Sequence, residues 1–281
     1  MIDLHAHTTA SDGVFEPERL VELAHRAGVR HLAITDHDTV DGLARAEVKA
    51  AEFGMELIGG IEISTEIEGK DIHVLGHFIR RDHPSLLAYT KHQKGERRRR
   101  MERMIEKLNR MGHAVSMAQV ERIAGSTGAS GDENLCRPHL ARALIETGAC
   151  RTMQDAFTHL IGDGGPAFAE QERLGAREAI ALIVEAGGVA ALAHPSVDGM
   201  DRWHIRKLRE LGMGGLEVFH PDHDEGKRVK YLKIARENDL VPTGGSDFHG
   251  ELHATEEPKL GVPQLDAQTF AALRARARNS L

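Results

Sequence analysis

The sequence predicts an α/β protein, a distorted (β/α)7 barrel interrupted by a helical insertion. Short apolar runs alternate with amphipathic helical stretches over residues 1–83 and again over 176–281, and together they supply about seven strands. Between them, from 84 to 175, the pattern is helical without a strand of similar quality, which marks an insertion of one small domain's size. No Gly-x-Gly-x-x-Gly turn follows the first apolar run, so an open dinucleotide-binding sheet has little support.

Residues 2–7 read as the first strand. Pro17 then starts a helix at an early position, where its missing N–H costs nothing; Leu20, Leu23, Ala24 and Ala27 form the buried stripe and Gly28 ends it. The run 31–35 is the second strand, and Asp41 reads as the N-cap of a helix reaching about Phe53, stopped by Gly54. Strands at 57–63 and 72–78 follow. The insertion holds a long helix at 87–111 and shorter ones at 117–124, 138–147 and 152–160. Alternation resumes with a helix at 176–186, a strand at 189–193, a helix at 201–211, a strand at 215–219 and a helix at 227–237. A strand near 241–243 and a helix at 266–278 complete the chain. In such barrels the chemistry sits at the C-terminal ends of the strands.

A chain of 281 residues can bury a full core, and 41% apolar with 28% charged residues is a soluble globular composition. No apolar run approaches the ~20 residues of a membrane span, and the start lacks a charged-then-apolar leader pattern. With working histidines at 5 and 7, a cleaved leader is implausible, so the expectation is a cytoplasmic protein with no membrane contact and no obligate protein partner. Cys136 and Cys150 suit neither a disulfide framework nor a zinc clip. A net charge of -7 argues against general adhesion to nucleic acid, a local patch aside.

The 18 histidines are the compositional oddity. His5 and His7 alternate along a strand and so face the same side, the barrel interior, where imidazoles must be hydrogen-bonded or metal-bound. Alone, the pair fits a satisfied core equally well. Asp12 stands in a Ser-Asp-Gly turn, and alone it reads as a turn residue. His37 follows an apolar strand, and Glu62 lies between isoleucines, where an unpaired carboxylate would cost far more than a coordinated one. His73, His194 in Ala-His-Pro, and Asp247 with His249 complete the set at successive strand ends. Imidazoles and carboxylates without cysteine predict two or three divalent ions, manganese first, with iron or zinc as alternatives, and hydrolytic chemistry.

This set resembles the PHP (polymerase and histidinol phosphatase) family of metal-dependent phosphoesterases, over nearly the whole chain and including the insertion. The resemblance implies a PHP-type barrel, 1–83 with 176–281, around an insertion domain, 84–175, and nine ligands: His5, His7, Asp12, His37, Glu62, His73, His194, Asp247 and His249. It implies one metal on His5, His7, Glu62 and Asp247, a second that Glu62 bridges to with His73 and His194, and a third on Asp12, His37 and His249. A hydroxide between metals would attack phosphorus in line. Asp36, Asp38, His77 and His220 are expected behind the ligands or lining the pocket. His25, His31, His83, His92, His113, His159, His204 and His253 read as solvated.

Within the family, Arg137-Pro138-His139 and Pro221-x-His223 resemble the branch that hydrolyses nucleoside 3′,5′-bisphosphates such as pAp and removes 5′ nucleotides from short RNA. The implied substrates are a small nucleotide and short 5′-phosphorylated RNA, with Arg137, His139 and His223 on the phosphate that is not cleaved. His223 is also a candidate acid for the leaving oxygen. From the residues alone, Arg137 at a helix start is an anion site or a surface arginine. Residues 91–110 carry nine Lys or Arg against three Glu, which fits a solvated helix face or a path for trailing RNA phosphates. Amide hydrolysis, histidinol-phosphate phosphatase activity, and a non-catalytic module like the PHP domains of bacterial replicative polymerases are the competing readings.

Overall fold

Seven short strands, mostly buried, line up edge to edge in the computed structural model, which describes residues 1–126, 135–250, 259–261 and 265–278. They are β1 (Ile2–Asp3), β2 (His31–Ile34), β3 (Glu56–Ile67), β4 (Lys70–His77), β6 (Val189–Leu192), β7 (Gly215–Phe219) and β8 (Val241–Gly244), neighbours in that order. A two-residue strand β5 (Leu174–Gly175) pairs with the outer end of β3. The barrel expected from the sequence is present. Residues 2–7 are not one regular strand, however. Ile2 and Asp3 pair with β2 and Ala6 accepts from the Thr35 N–H just beyond it (2.9 Å), while the other edge bonds a second segment. Leu4 N–H donates to the Gly244 carbonyl (3.2 Å), Asp247 N–H to His5 (2.8 Å) and His7 N–H to Phe248 (2.9 Å), which closes the ring.

β4 departs from the parallel order of a regular (β/α) barrel by running antiparallel to both neighbours, β3 and β6. The cause is local. Only Glu68 and Gly69 separate β3 from β4, and both have positive φ (50° and 74°), the geometry of a tight hairpin turn. Reversal places His73, near the start of β4, beside Ser64 at the end where the parallel strands finish, and sends His77 to the other end.

Helices α1 (Pro17–Arg26) and α2 (Leu43–Glu52) cover one side of the ring. Gly42, not Asp41, caps α2 without a side-chain bond, because Asp41 turns outward to pair with Lys94 (2.9 Å). The helical segment contains α3 (Pro84–Arg110), α4 (Met117–Ser126), α5 (Arg137–Glu146) and α6 (Met153–Ala156), the last running into a π turn at Phe157–Ile161. It has its own apolar cluster around Met104, Leu108, Leu140, Leu144 and Ile161, whereas Leu86 and Tyr89 of α3 belong to the barrel core. The long helix therefore ties the two together. α7 (Ala176–Glu185), α8 (Arg202–Glu210), α9 (Glu225–Glu237) and α10 (Ala267–Arg278) complete the outer layer. Among the described residues, no helix is long and apolar enough to cross a membrane.

Ring closure sets a steric limit. A Cβ on Gly245 would lie 2.4 Å from the His5 nitrogen and 2.8 Å from its Cα, backbone atoms with nowhere to go. Gly245→Ala should lower stability to chemical denaturation by about 1–3 kcal/mol. Wild-type stability in this variant would mean the two chain segments do not pack this closely.

Candidate metal centre and anion pocket

At the finishing ends of the strands, three groups of donor atoms overlap: His5, His7, Glu62 and Asp247; His37, Glu62 and His73; and His7, Asp12, His37 and His249. Within each, all donor atoms lie within 4.8 Å of one another. Glu62 Oε2 is 3.2 Å from His5 Nε2, 3.1 Å from His7 Nε2 and 3.5 Å from His37 Nδ1. Its other oxygen, Oε1, is 3.0 Å from His73 Nδ1 and 3.1 Å from His194 Nε2. Asp247 Oδ1 lies 3.1 Å from His5 Nε2, and Asp12 Oδ1 lies 3.4 Å from His249 Nε2. Donors about 2.1 Å from one tetrahedral ion stand ~3.4 Å apart, so these spacings are compatible with ligation of a shared ion as well as with hydrogen bonding.

Two further observations fit an ion. Neither ring nitrogen of buried His7 is aligned for a hydrogen bond, although Glu62 and Asp247 oxygens lie 3.1 and 3.3 Å from Nε2, and Asp12 Oδ1 is also unsatisfied. The charge balance agrees. Burial opposes ionisation of Glu62, yet the imidazoles of His37, His5 and His73 hold its carboxyl well below the usual range. Burial likewise pulls His7 down, but Asp247 and Glu62 beside it carry it up to about 10. The buried carboxylates demand positive charge, which protons supply until a cation replaces them.

The donors are held from behind. Glu217, fully buried, accepts from His5 Nδ1 (3.0 Å) and from the His194 backbone N–H (2.7 Å). Asp198 lies 3.4 Å from His194 Nδ1. His220 accepts the Asp222 N–H on Nδ1 (3.1 Å), which leaves Nε2 to donate to Asp247 (3.3 Å). Asp36 accepts from the backbone and hydroxyl of Thr8 and from the Ser11 hydroxyl, each at 2.7 Å, and so shapes the turn carrying Asp12. Asp38 accepts from Tyr89 (2.5 Å), from the Ser64 N–H (2.9 Å) and from Arg97. His77 lies away from the cluster. It donates to the Leu4 carbonyl (2.9 Å), and burial pushes its imidazole down to about 4. Sequence reading missed Glu217 and Asp198, although Glu217 sits in an apolar strand just as Glu62 does.

Beside the cluster, a cavity of about 230 Å³ opens between the barrel mouth and the helical segment. Asp12, His37 and His73 form one wall, and Arg97, Arg100, Arg137 and Arg173 converge on it. Arg137 thus reaches the cavity, held by Asp163 (2.6 Å). His139 and His223 do not line it. The His139 ring is buried, with Nδ1 accepting the Cys136 N–H (3.1 Å) at the start of α5. The His223 ring is buried against Tyr231, with Nδ1 donating to the Val218 carbonyl (2.9 Å). His204, expected in solvent, is also buried and bonded to Asp201 (2.7 Å), while His253 lies outside the described residues.

The basic run is neither a uniform solvated face nor an open track. Arg97 and Arg100, one turn apart, face the cavity. Arg98 pairs with Glu102 and Glu121, Arg99 with Glu96, and Arg110 with Glu106. Arg100, Arg103 and Lys107 donate to the carbonyls of Ala169, Glu170 and Phe168, pinning the return segment that carries Gln171 and Arg173 to the cavity.

Residues 3–186 match the family described as PHP domain. A 5′-3′ exoribonuclease of Haemophilus influenzae is 37% identical over 251 residues, covering 88% of this chain and 89% of the relative. A phosphoribosyl 1,2-cyclic phosphate 1,2-diphosphodiesterase of Eggerthella lenta is 35% identical, covering 93% and 98%. A 3′,5′-nucleoside bisphosphate phosphatase of Chromobacterium violaceum is 31% identical, covering 88% and 87%. A solved structure from Bifidobacterium adolescentis superposes with a TM-score of 0.87 at 30% identity, over 98% of this chain and 95% of that one.

The raised His7 imidazole generates a measurable consequence. At pH 8, below its value of about 10, the metal-free ring holds a proton that a cation must displace. Titrating Mn²⁺ into stripped protein in weak buffer should release about one proton or more per chain. Absence of any pH change would remove His7 from the ligand set.

Proposed function

This chain belongs to the PHP family of metal-dependent phosphoesterases, and we propose that it removes the 3′-phosphate from nucleoside 3′,5′-bisphosphates and 5′ nucleotides from short RNA. The observation that carries this reading is the guanidinium-lined cavity sharing a wall with the carboxylate–imidazole cluster. Such a layout suits a substrate with two phosphates, one to be anchored and one to be cut. The relatives from Haemophilus influenzae and Chromobacterium violaceum support it by name.

In this reading His5, His7, Asp12, His37, Glu62, His73, His194, Asp247 and His249 hold two or three ions of manganese, iron or zinc. Bound there, the ions supply Lewis-acid charge at the phosphoryl oxygens and a nucleophile at neutral pH. Glu62, with one oxygen facing His5 and His7 and the other facing His73 and His194, is the shared ligand. Glu217, Asp198 and His220 fix the orientation of His5, His194 and Asp247. Arg137, with Arg97, Arg100 and Arg173, grips the phosphate that is not cleaved and so positions the other against the cluster. The helical segment 84–175 acts as the cover that carries this grip.

A second reading rests on the Eggerthella lenta relative, which matches nearly the full length of both chains. Its named substrate is also a ribose bearing two phosphate groups, so the same anchor would serve a cyclic phosphodiester. Parallel assays on pAp, AMP, the phosphoribosyl cyclic phosphate and histidinol phosphate decide between them. Activity on pAp should far exceed that on AMP, and preference for either of the last two would overturn the leading reading.

Loss of a charge-assisted anchor costs about 1.5–3 kcal/mol, so Arg137→Ala should lower kcat/KM on pAp roughly ten- to a hundredfold. The outward-facing pair separates the two fates of the basic helix. Neutralising Arg98 and Arg99 together should leave pAp hydrolysis within about twofold, because both are exposed and satisfied by glutamates. A loss as large as that of Arg137→Ala would place these side chains on the substrate.

A further inference from the structure

The chain's one tryptophan, Trp203, is 50% exposed, although this residue type is on average highly buried. It stands in the first turn of α8, directly after the loop that carries His194 and Asp198 away from β6. Asp201 fixes that turn by accepting the Trp203 and His204 N–H groups (2.9 and 3.1 Å). The buried His204 ring meets the indole edge to face, 4.9 Å between centroids. The indole is thus held in place without being covered. Two lysines stand near it. Lys207 Nζ lies 4.9 Å from the indole centroid, and its carboxylate partner, Glu68, is a loose 3.7 Å away. The Lys70 ammonium reaches the Gly199 carbonyl in the same loop (3.5 Å) and has no carboxylate partner among the described residues.

The β3–β4 hairpin joins this surface to the site. Its Ser64 and His73 line the arginine cavity, while Glu68 and Lys70 at its tip meet α8 and the loop before it. From His73 to Lys70 the strand spans about 10 Å. A nucleoside bisphosphate held between cavity and cluster ends short of that distance, whereas the later nucleotides of an RNA reach it. Direction agrees. His73 lines the cavity and His194 does not, so a chain entering through the cavity passes the cluster toward the His194 loop. An exposed indole with ammonium groups beside it offers a π-face to a base and positive charge to its phosphates. We propose that Trp203, with Lys70 and Lys207, forms a stacking subsite for the bases that follow the cut bond in RNA. The subsite rests on the RNA cleavage proposed above, and it serves oligonucleotides alone.

As the sole tryptophan, Trp203 reports on its own contacts. Rapid mixing of the metal-loaded full-length protein with a short 5′-phosphorylated RNA should quench indole emission, which should recover as the RNA is consumed. The same experiment with pAp should leave the emission unchanged. Trp203→Ala should raise KM for the RNA relative to KM for pAp roughly five- to a hundredfold, and Trp203→Phe, which keeps a π-face, should recover most of that loss. Lys70→Gln should make KM for the RNA less sensitive to salt. If the RNA is cleaved with no change in emission, or if Trp203→Ala leaves the ratio of KM values as it was, this proposal falls and the function proposed above stands. Quenching by pAp as strong as by RNA also overturns it. Quenching by RNA in a protein that cleaves neither substrate would instead sink that function and leave the stacking surface standing.

Discussion

An ionised carboxylate buried inside a barrel is the constraint on which this structure turns. Glu62 is 1% exposed and touches five imidazoles, His5, His7, His37, His73 and His194. Breaking such a buried set by removing one partner costs about 3–5 kcal/mol. The ring must therefore bring five separate segments to one point. Closure between residues 4–7 and 244–248 delivers His5 and His7 together with Asp247, and the reversed β4 delivers His73. Glu217 adds a second buried carboxylate that both orients His5 and ties it to the His194 backbone.

Strain gathers at the same place. Asp38, His194 and Asp247 all have positive φ (54°, 20° and 50°), a conformation that costs of order 1–3 kcal/mol for residues other than glycine. Each is pinned by its surroundings. Asp38 is the clearest case, fixed by Tyr89 and Arg97 from α3 and by the Ser64 N–H from β3. It sits next to His37, so the long helix α3 and a histidine of the buried cluster share one anchoring carboxylate.

The long helix also shows how like charges acquire different tasks within two turns. Helical periodicity sends Arg97 and Arg100 inward and Arg98 and Arg99 outward. Arg103 and Lys107 continue the line of Arg100 and bond the carbonyls of a segment that has no sheet to satisfy them. The excess positive charge of this helix is thus spread over a guanidinium-lined cavity, a backbone strap and surface ion pairs.

Local pattern was enough to determine much of this protein. Strand–helix alternation, the helical interruption and the histidines and carboxylates at strand ends were legible because burial periodicity and the cost of buried charge act residue by residue. Glu62 stood out for that reason, and Glu217 was open to the same argument. Tertiary structure decided what depends on direction and on distant partners. The two-residue turn at Glu68 and Gly69 reversed β4, and Asp41 left its helix for Lys94. His139 and His223, expected on the uncleaved phosphate, are buried away from the cavity lining, while Arg97, Arg100 and Arg173 came to one cavity from positions up to 76 residues apart. No local rule tells which side of a basic helix a returning segment will cover; only the packed chain settles that.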